Sequence, residues 1–226
     1  MLKKMKQQQK RKNNKNDSSD SESEDEPLPP FNIGDYFKSK EHAEIMVQGI
    51  ACNVTGDIKN TNATDKAILE MIPRIGYDYH KIWEDHLEEN FTWFQFTSKR
   101  KRMSTVVSGI TNAEYGYPKR VHVKGASEMV LATCSHYLDA DGKRQPLTKD
   151  AEAKILEVIT KYASNALRTI CLAYKDLWEG EAGHEHDDKA EGDPLYKIEK
   201  EGLTCICILG IKDIIWPEVP DAVDQC

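Results

Sequence analysis

Residues 91–107 read FTWFQFTSKRKRMSTVV. Phe91, Trp93 and Gln95 alternate with Thr92, Phe94 and Phe96, a period of two that predicts a strand rather than a helix. Four consecutive cations, Lys99 to Arg102, interrupt the pattern, and Met103 to Val107 resumes it. Arg120 to Lys124 repeats the strand alternation, and Asn112 to Pro118 between them is rich in turn formers. A strand, a basic turn and then a β-hairpin are therefore expected.

On the N-terminal side the period lengthens. Ala43, Ile45, Met46, Val47 and Ile50 are spaced for a packed helix over Ser39 to Cys52, with Ser39 near its cap. Asn53 to Asn62 has loop chemistry. A second helix is predicted from Thr64 to Ile72, stopped by Pro73. Tyr77 to Leu87, with Trp83, reads as a helix on a weaker pattern. On the C-terminal side, Ala126 to Tyr137 reads as a helix and Asp141-Gly142 as a turn. Ile155, Val158, Ile159 and Tyr162 mark another helix. Arg168 to Tyr174 and Leu203 to Ile211 read as strands, with an acidic loop, Glu179 to Glu201, between them. This order is not a βαβ alternation. It predicts an α+β fold, an antiparallel sheet flanked by helices on one side, over a doubly wound parallel sheet.

Composition divides the 226 residues, which are 39% hydrophobic, 31% charged and carry a formal net charge of −7. Residues 1–30 read as a disordered tail, basic and then acidic, because almost nothing up to Glu26 has apolar surface to bury. Residues 31–212 are expected to form one domain, and residues 213–226 a hinge leading out of it. The longest apolar run, Leu203 to Ile211, is too short to span a bilayer, and the basic start meets glutamines rather than a signal-peptide core. Six cysteines without a CxxC read as reduced, buried thiols, with Cys205 and Cys207, two apart in a strand, on one face.

Phosphate-binding glycine loops of the GxxxxGK[ST] and GxGxxG kinds are both missing, so a nucleotide would have to be held by side chains. Two features invite that reading: the aromatic-plus-basic run Phe96 to Ser104, and Lys124-Gly125-Ala126-Ser127-Glu128, a lysine closing a strand before a helix start. Each alone is ordinary surface chemistry, and a basic turn usually faces water.

Together they resemble the nucleotide-binding domain of P-type ATPases, above all of the plasma-membrane calcium-pump type. Ala63 to Ile68 resembles the family's T-E-x-A-L block, Phe96 to Ser104 its F-[ST]-S-x-R-K-x-M-S block, Lys124 to Glu128 its KGA[SP]E block, and Leu167 to Tyr174 its LRTICLAY block. Gly210 to Val223 is similar to the hinge returning to the phosphorylation domain. The resemblance implies that Phe96 stacks on adenine, that Lys124 with Gly125 lines the pocket floor, and that Met103 forms its wall. It implies that Lys101 helps neutralise the nucleotide, that Arg168 reaches the phosphates, and that Asp65 stands where the family has a Glu that accepts from the adenine amino group. Asp65 is one methylene shorter, and flanking or capping the Thr64 helix is its competing role. The hinge departs too, with Ile214 and Trp216 replacing a proline and an arginine.

The resemblance further implies a parent pump on the cytoplasmic side of a membrane, partnered by phosphorylation and actuator domains, with ATP as ligand and Mg²⁺ held elsewhere. The acceptor aspartate of the family's DKTGTLT block is not in this chain, and Asn53 to Asp57 matches the family's TGD motif in letters only. No residue here is assigned to catalysis or to a metal. Weak ATP binding without turnover is therefore expected. Nucleic-acid binding is disfavoured because the basic arm from Lys3 to Lys12 is followed by six acids between Asp17 and Glu26 on an acidic chain. A silent nucleotide-sensing or protein-interaction module, with the serines among those acids as kinase targets or His184 to Asp188 as a metal ligand run, is the alternative.

Overall fold

A computed structural model describes residues 37–54, 56–87, 91–108, 119–178, 181 and 195–212. Along the chain run α1 (Lys40–Cys52), α2 (Ala63–Leu69), α3 (Met71–Arg74), α4 (Tyr79–Leu87), β1 (Thr92–Phe94), β2 (Arg102–Ser108) and β3 (Lys119–Ala126). Then follow α5 (Ser127–Leu131), β4 (Cys134–Leu138), β5 (Arg144–Pro146), α6 (Lys149–Ser164), β6 (Leu167–Leu177), a 3-10 turn (Lys197–Glu199) and β7 (Leu203–Lys212). The tail, the Asn112–Pro118 turn, the run His184 to Asp188 and the hinge lie outside the described residues.

The strands make one seven-stranded sheet in the order β1-β2-β3-β6-β7-β4-β5. The predicted hairpin forms with Met103 opposite Lys124 and Val107 opposite Arg120. The sheet is antiparallel except where β4 runs parallel to β7. That exception comes from a stretch expected to be helical. Only Ser127 to Leu131 of it is helix, and Cys134 to Leu138 departs as a strand. Thr133 O accepts from Leu203 N at 3.2 Å where the two strands meet. The Asp141-Gly142 turn is as expected: Gly142 has φ 77°, and Asp139 Oδ1 accepts from Asp141 N and Lys143 N at 3.0 and 2.9 Å.

The helices cover both faces rather than one, and the period-two alternation shows why. On β6, Ile170, Leu172 and Tyr174 pack with Met46, Val47, Ile50 and Leu69 under α1 to α4. Cys171, Ala173 and Leu177 point the other way and pack with Val130, Leu131 and Ile159 of α5 and α6. A strand apolar on both faces needs cover on both. A bulge in β7 shifts the phase: Leu172 faces Cys207 while Ala173 faces Cys205, leaving Ile206 as the extra residue. Cys205 therefore joins the α5–α6 side and Cys207 the α1–α4 side, contrary to the expectation of a shared face. The bulge also frees the Ile206 carbonyl, which accepts from His42 Nε2 of α1 at 3.0 Å.

Local chemistry explains the helices. Ser39 caps α1 by accepting from His42 N, and the apolar positions face inward as spaced. Gly49 brings α1 against the sheet at ordinary packing distance: a Cβ there would stand 3.4 Å from Ile206 and 3.5 Å from His122. Trp83 Nε1 donates to Ala51 O at 2.7 Å, tying α4 to the end of α1. The helix expected up to Pro73 instead breaks at Glu70. Pro73 is the third residue of α3, a first-turn position where a missing N–H forfeits no intrahelical bond.

A nucleotide-pocket candidate at one end of the sheet

Antiparallel connectivity brings the end of β1, the start of β2, the end of β3 and the start of β6 to one edge of the sheet. Phe96 and Lys101 lie in the loop joining β1 to β2. Met103 opens β2, Lys124 and Gly125 close β3, and Arg168 opens β6. Met103 pairs with Lys124, and Lys124 with Leu172. Directly opposite residues share a face, and here it is the α1–α4 face.

The first turn of α2 is stapled over this edge at two points. Lys124 Nζ bonds Asp65 Oδ1, with both side chains buried. Arg168 Nη1 donates to Thr64 Oγ1 at 2.6 Å. Asp65 is not the helix cap. Asn62 is, accepting from Asp65 N at 2.9 Å. The Asp65 carboxylate is thus turned inward, and its Oδ2 is buried without a hydrogen-bond partner. Burial pushes the Lys124 ammonium below its ordinary pKa, while Asp65 acts in the opposite direction.

The other members divide by exposure. Met103 is buried, as suits a wall. Phe96 is 55% exposed, a large aromatic that the fold leaves outside its core. Lys101 is exposed and has φ 55°, in the left-handed region that a lysine enters at a cost of about 1–2 kcal/mol. Its backbone explains this: Lys101 N donates to Thr97 O at 2.8 Å and Lys101 O accepts from Ala126 N at 3.0 Å, locking the loop onto the end of β3. Gly125 makes room for that lock, since a Cβ there would meet Lys101 O at 2.5 Å and Arg102 Cβ at 2.6 Å.

The basic run is only half solvated. Arg100 and Arg102 are 2% and 1% exposed, while Lys99 and Lys101 face water. Arg100 Nη2 donates to Phe94 O at 2.9 Å and Gln95 O at 2.8 Å. Its Nε lies 3.5 Å from Glu199 Oε2. Glu199 is fully buried and also accepts from Ser104 Oγ. Arg102 Nη1 donates to Glu199 O at 3.3 Å and to Thr133 Oγ1 at 3.2 Å, and its Nη2 to Met129 O. Sequence reasoning missed this cluster, although part of its signal was present. Extending the phase of Ser104 and Val106 back one step puts Arg102 on the α5–α6 face, whereas Arg100 lies beyond the strand in the turn, where no side-chain period reports its direction.

Among the described residues, no group of three His, Cys, Asp or Glu side chains is placed to hold a metal ion, and no helix is long and apolar enough to cross a membrane.

The fold is a mixed seven-stranded sheet covered by helices on both faces, with the candidate residues gathered at one end. A sequence model of the family described as "P-type ATPase, cytoplasmic domain N" matches residues 45–218, and the chain belongs to that family. It is 38% identical over 167 residues to the human plasma membrane calcium-transporting ATPase 1, which covers 73% of this chain and 13% of the relative. It is 35% identical over 167 residues to the plasma membrane calcium-transporting ATPase 4 of Bos taurus, with the same coverage of each. It is 33% identical over 197 residues to calcium-transporting ATPase 4, plasma membrane-type, of Arabidopsis thaliana, covering 83% of this chain and 17% of the relative. The chain thus spans less than a fifth of the length of these relatives.

Proposed function

We propose that this chain is the ATP-binding domain of a P-type calcium-transporting ATPase and presents ATP to a phosphorylation-domain aspartate supplied by another part of the parent pump. The observation that carries the reading is the convergence of Phe96, Lys101, Met103, Lys124, Gly125, Arg168 and Asp65 on one end of the sheet. Their chemistry matches a purine nucleotide. Phe96 offers an exposed aromatic face, worth about 1–3 kcal/mol against a base by analogy with nucleic-acid binders. Asp65 Oδ2 is an unused acceptor suited to an exocyclic amine. Arg168 brings a planar cation suited to phosphate oxygens.

In this reading the pocket holds ATP by its base and leaves the phosphate chain reaching outward. Phosphoryl transfer depends on positioning and on charge neutralisation of the transferred group. Those functions, with Mg²⁺, fall to the phosphorylation domain. The actuator domain and the membrane helices of the parent complete the partnership, and the domain works on the cytoplasmic side of the membrane. Residues 31–212 form the binding unit and residues 213–226 the hinge.

The test is an ATP titration of the full chain, followed by amide shifts, beside Phe96→Ala. Saturable binding that weakens about 5- to 100-fold in the variant, with the amide spectrum otherwise retained, is expected. No saturation at millimolar ATP in a folded wild type would overturn the reading and favour an interaction module on the same scaffold.

A further inference from the structure

We infer that Glu199, remote from the pocket in sequence and buried on the opposite face of the sheet, is a positioning residue for the nucleotide: it holds Phe96 in place through Arg100. The inference rests on the ATP-binding reading and deepens it.

Phe96 follows the last paired residue of β1, Phe94, which faces Ser104. Beyond that point the ladder no longer sets the direction of the chain. Arg100 does so instead, since one guanidinium nitrogen takes the carbonyls of Phe94 and Gln95, the two immediately before Phe96. Phe96 itself is more than half exposed, so core packing contributes little to its orientation.

A buried guanidinium needs a counter-charge. Glu199 supplies it at 3.5 Å, with the Tyr196 ring 5.0 Å beneath the Arg100 carbon. The carboxylate is itself fixed on both oxygens: Oε1 accepts from Ser104 Oγ, and Oε2 accepts from Tyr196 N at 3.2 Å. The Tyr196 ring packs on Phe94 with centroids 4.1 Å apart. Residues 196–199 therefore form a platform under the β1–β2 loop, and Glu199 is its charged centre. A preorganised aromatic avoids the entropy of being ordered on binding. Without Glu199, Phe96 has to be ordered by ATP.

The experiment measures ATP affinity of the full chain as wild type, Glu199→Gln, Arg100→Lys and Phe96→Ala, and as Glu199→Gln and Arg100→Lys each combined with Phe96→Ala. Inorganic tripolyphosphate serves as a base-free probe, and thermal melts report folding. Glu199→Gln and Arg100→Lys are expected to weaken ATP roughly three- to tenfold, to leave tripolyphosphate binding unchanged, and to add nothing in the Phe96→Ala background. Arg100→Lys keeps the buried charge and carries the test if Glu199→Gln does not fold. Wild-type ATP affinity in a folded Glu199→Gln or Arg100→Lys protein, or an equal loss in the Phe96→Ala background, overturns the inference while leaving the ATP site standing. Unchanged affinity in Phe96→Ala alone overturns the ATP-site reading instead, and the inference with it.

Discussion

Lys124 at the end of β3 and Asp65 in the first turn of α2 form a buried ion pair across 59 residues of sequence. The pair does two things at once. It pins α2 to the sheet, and it occupies one oxygen of the carboxylate proposed to read the base.

Removing one partner leaves the other charged, buried and alone. Lys124→Ala is expected to destabilise the fold by about 3–5 kcal/mol, read from urea denaturation. Lys124→Met with Asp65→Leu replaces the pair by apolar groups of similar volume and should be neutral or stabilising by up to about 4 kcal/mol. That folded double variant is expected to lose saturable ATP binding. Wild-type affinity in it would remove both residues from the proposed site.

Gly125→Ala drives a methyl into backbone atoms of Lys101 and Arg102 rather than into a yielding side-chain tip. A loss of about 1–3 kcal/mol is expected. Because the strain falls on the loop that carries Phe96 and Lys101, ATP affinity should fall as well. A variant with unchanged melting temperature and affinity would show that the loop has slack which its hydrogen bonds do not suggest.

His122 is fully buried against α1, and neither ring nitrogen has a partner. Burial pushes its pKa well below the ordinary 6.5, with Arg120 and then His86 adding to the effect. The unfolded chain therefore takes up a proton that the folded one refuses. Stability from this group is complete above about pH 6.5 and is lost as pH falls from there toward the folded value, at up to about 1.4 kcal/mol per pH unit. His86 and His136 are shifted in the same direction. Chemical denaturation at several pH values should show a shallower acid limb for His122→Leu than for wild type. An identical limb would mean that other groups govern acid sensitivity.

Cys171 and Cys205 bring their sulfurs to 3.7 Å, yet Cys205 stands opposite Ala173, so the two are diagonal neighbours. Diagonal α-carbons sit roughly 7–8 Å apart, beyond the usual span of a disulfide. Burial also pushes the Cys52 thiol up to about 12, and hydrogen bonds from Cys134 and Cys205, with burial, raise Cys171. Buried, protonated thiols react slowly. Mass spectrometry after prolonged air exposure should find no Cys171–Cys205 disulfide, and Cys52 and Cys171 should react with thiol reagents only on unfolding. Fast native-state labelling of either would contradict this.

Most helices and strands were legible because they depend on spacing along the chain. The capped helix after Ser39, the hairpin from Met103 to Lys124, and the strands at Arg168 and Leu203 follow local patterns of 3.6 and 2. The parallel strand Cys134–Leu138 was not legible. Its five residues lack a strand period, and it exists because β7, some 70 residues later, offers an edge to pair with.

The amino-acid sequence determined the family, through four motif blocks in order, and with it the roster of candidate pocket residues. Tertiary structure alone decided how those residues are tied. It placed helices on both faces, gave Asp65 to Lys124 and Thr64 to Arg168, divided Cys205 from Cys207 by a bulge, and buried two of four adjacent cations against Glu199. The reason is range. A side-chain period reports the conformation of its own segment, whereas the partner of a buried charge is whichever group the completed chain brings within a few ångströms, and for Ser104 and Glu199 that meeting spans 95 residues.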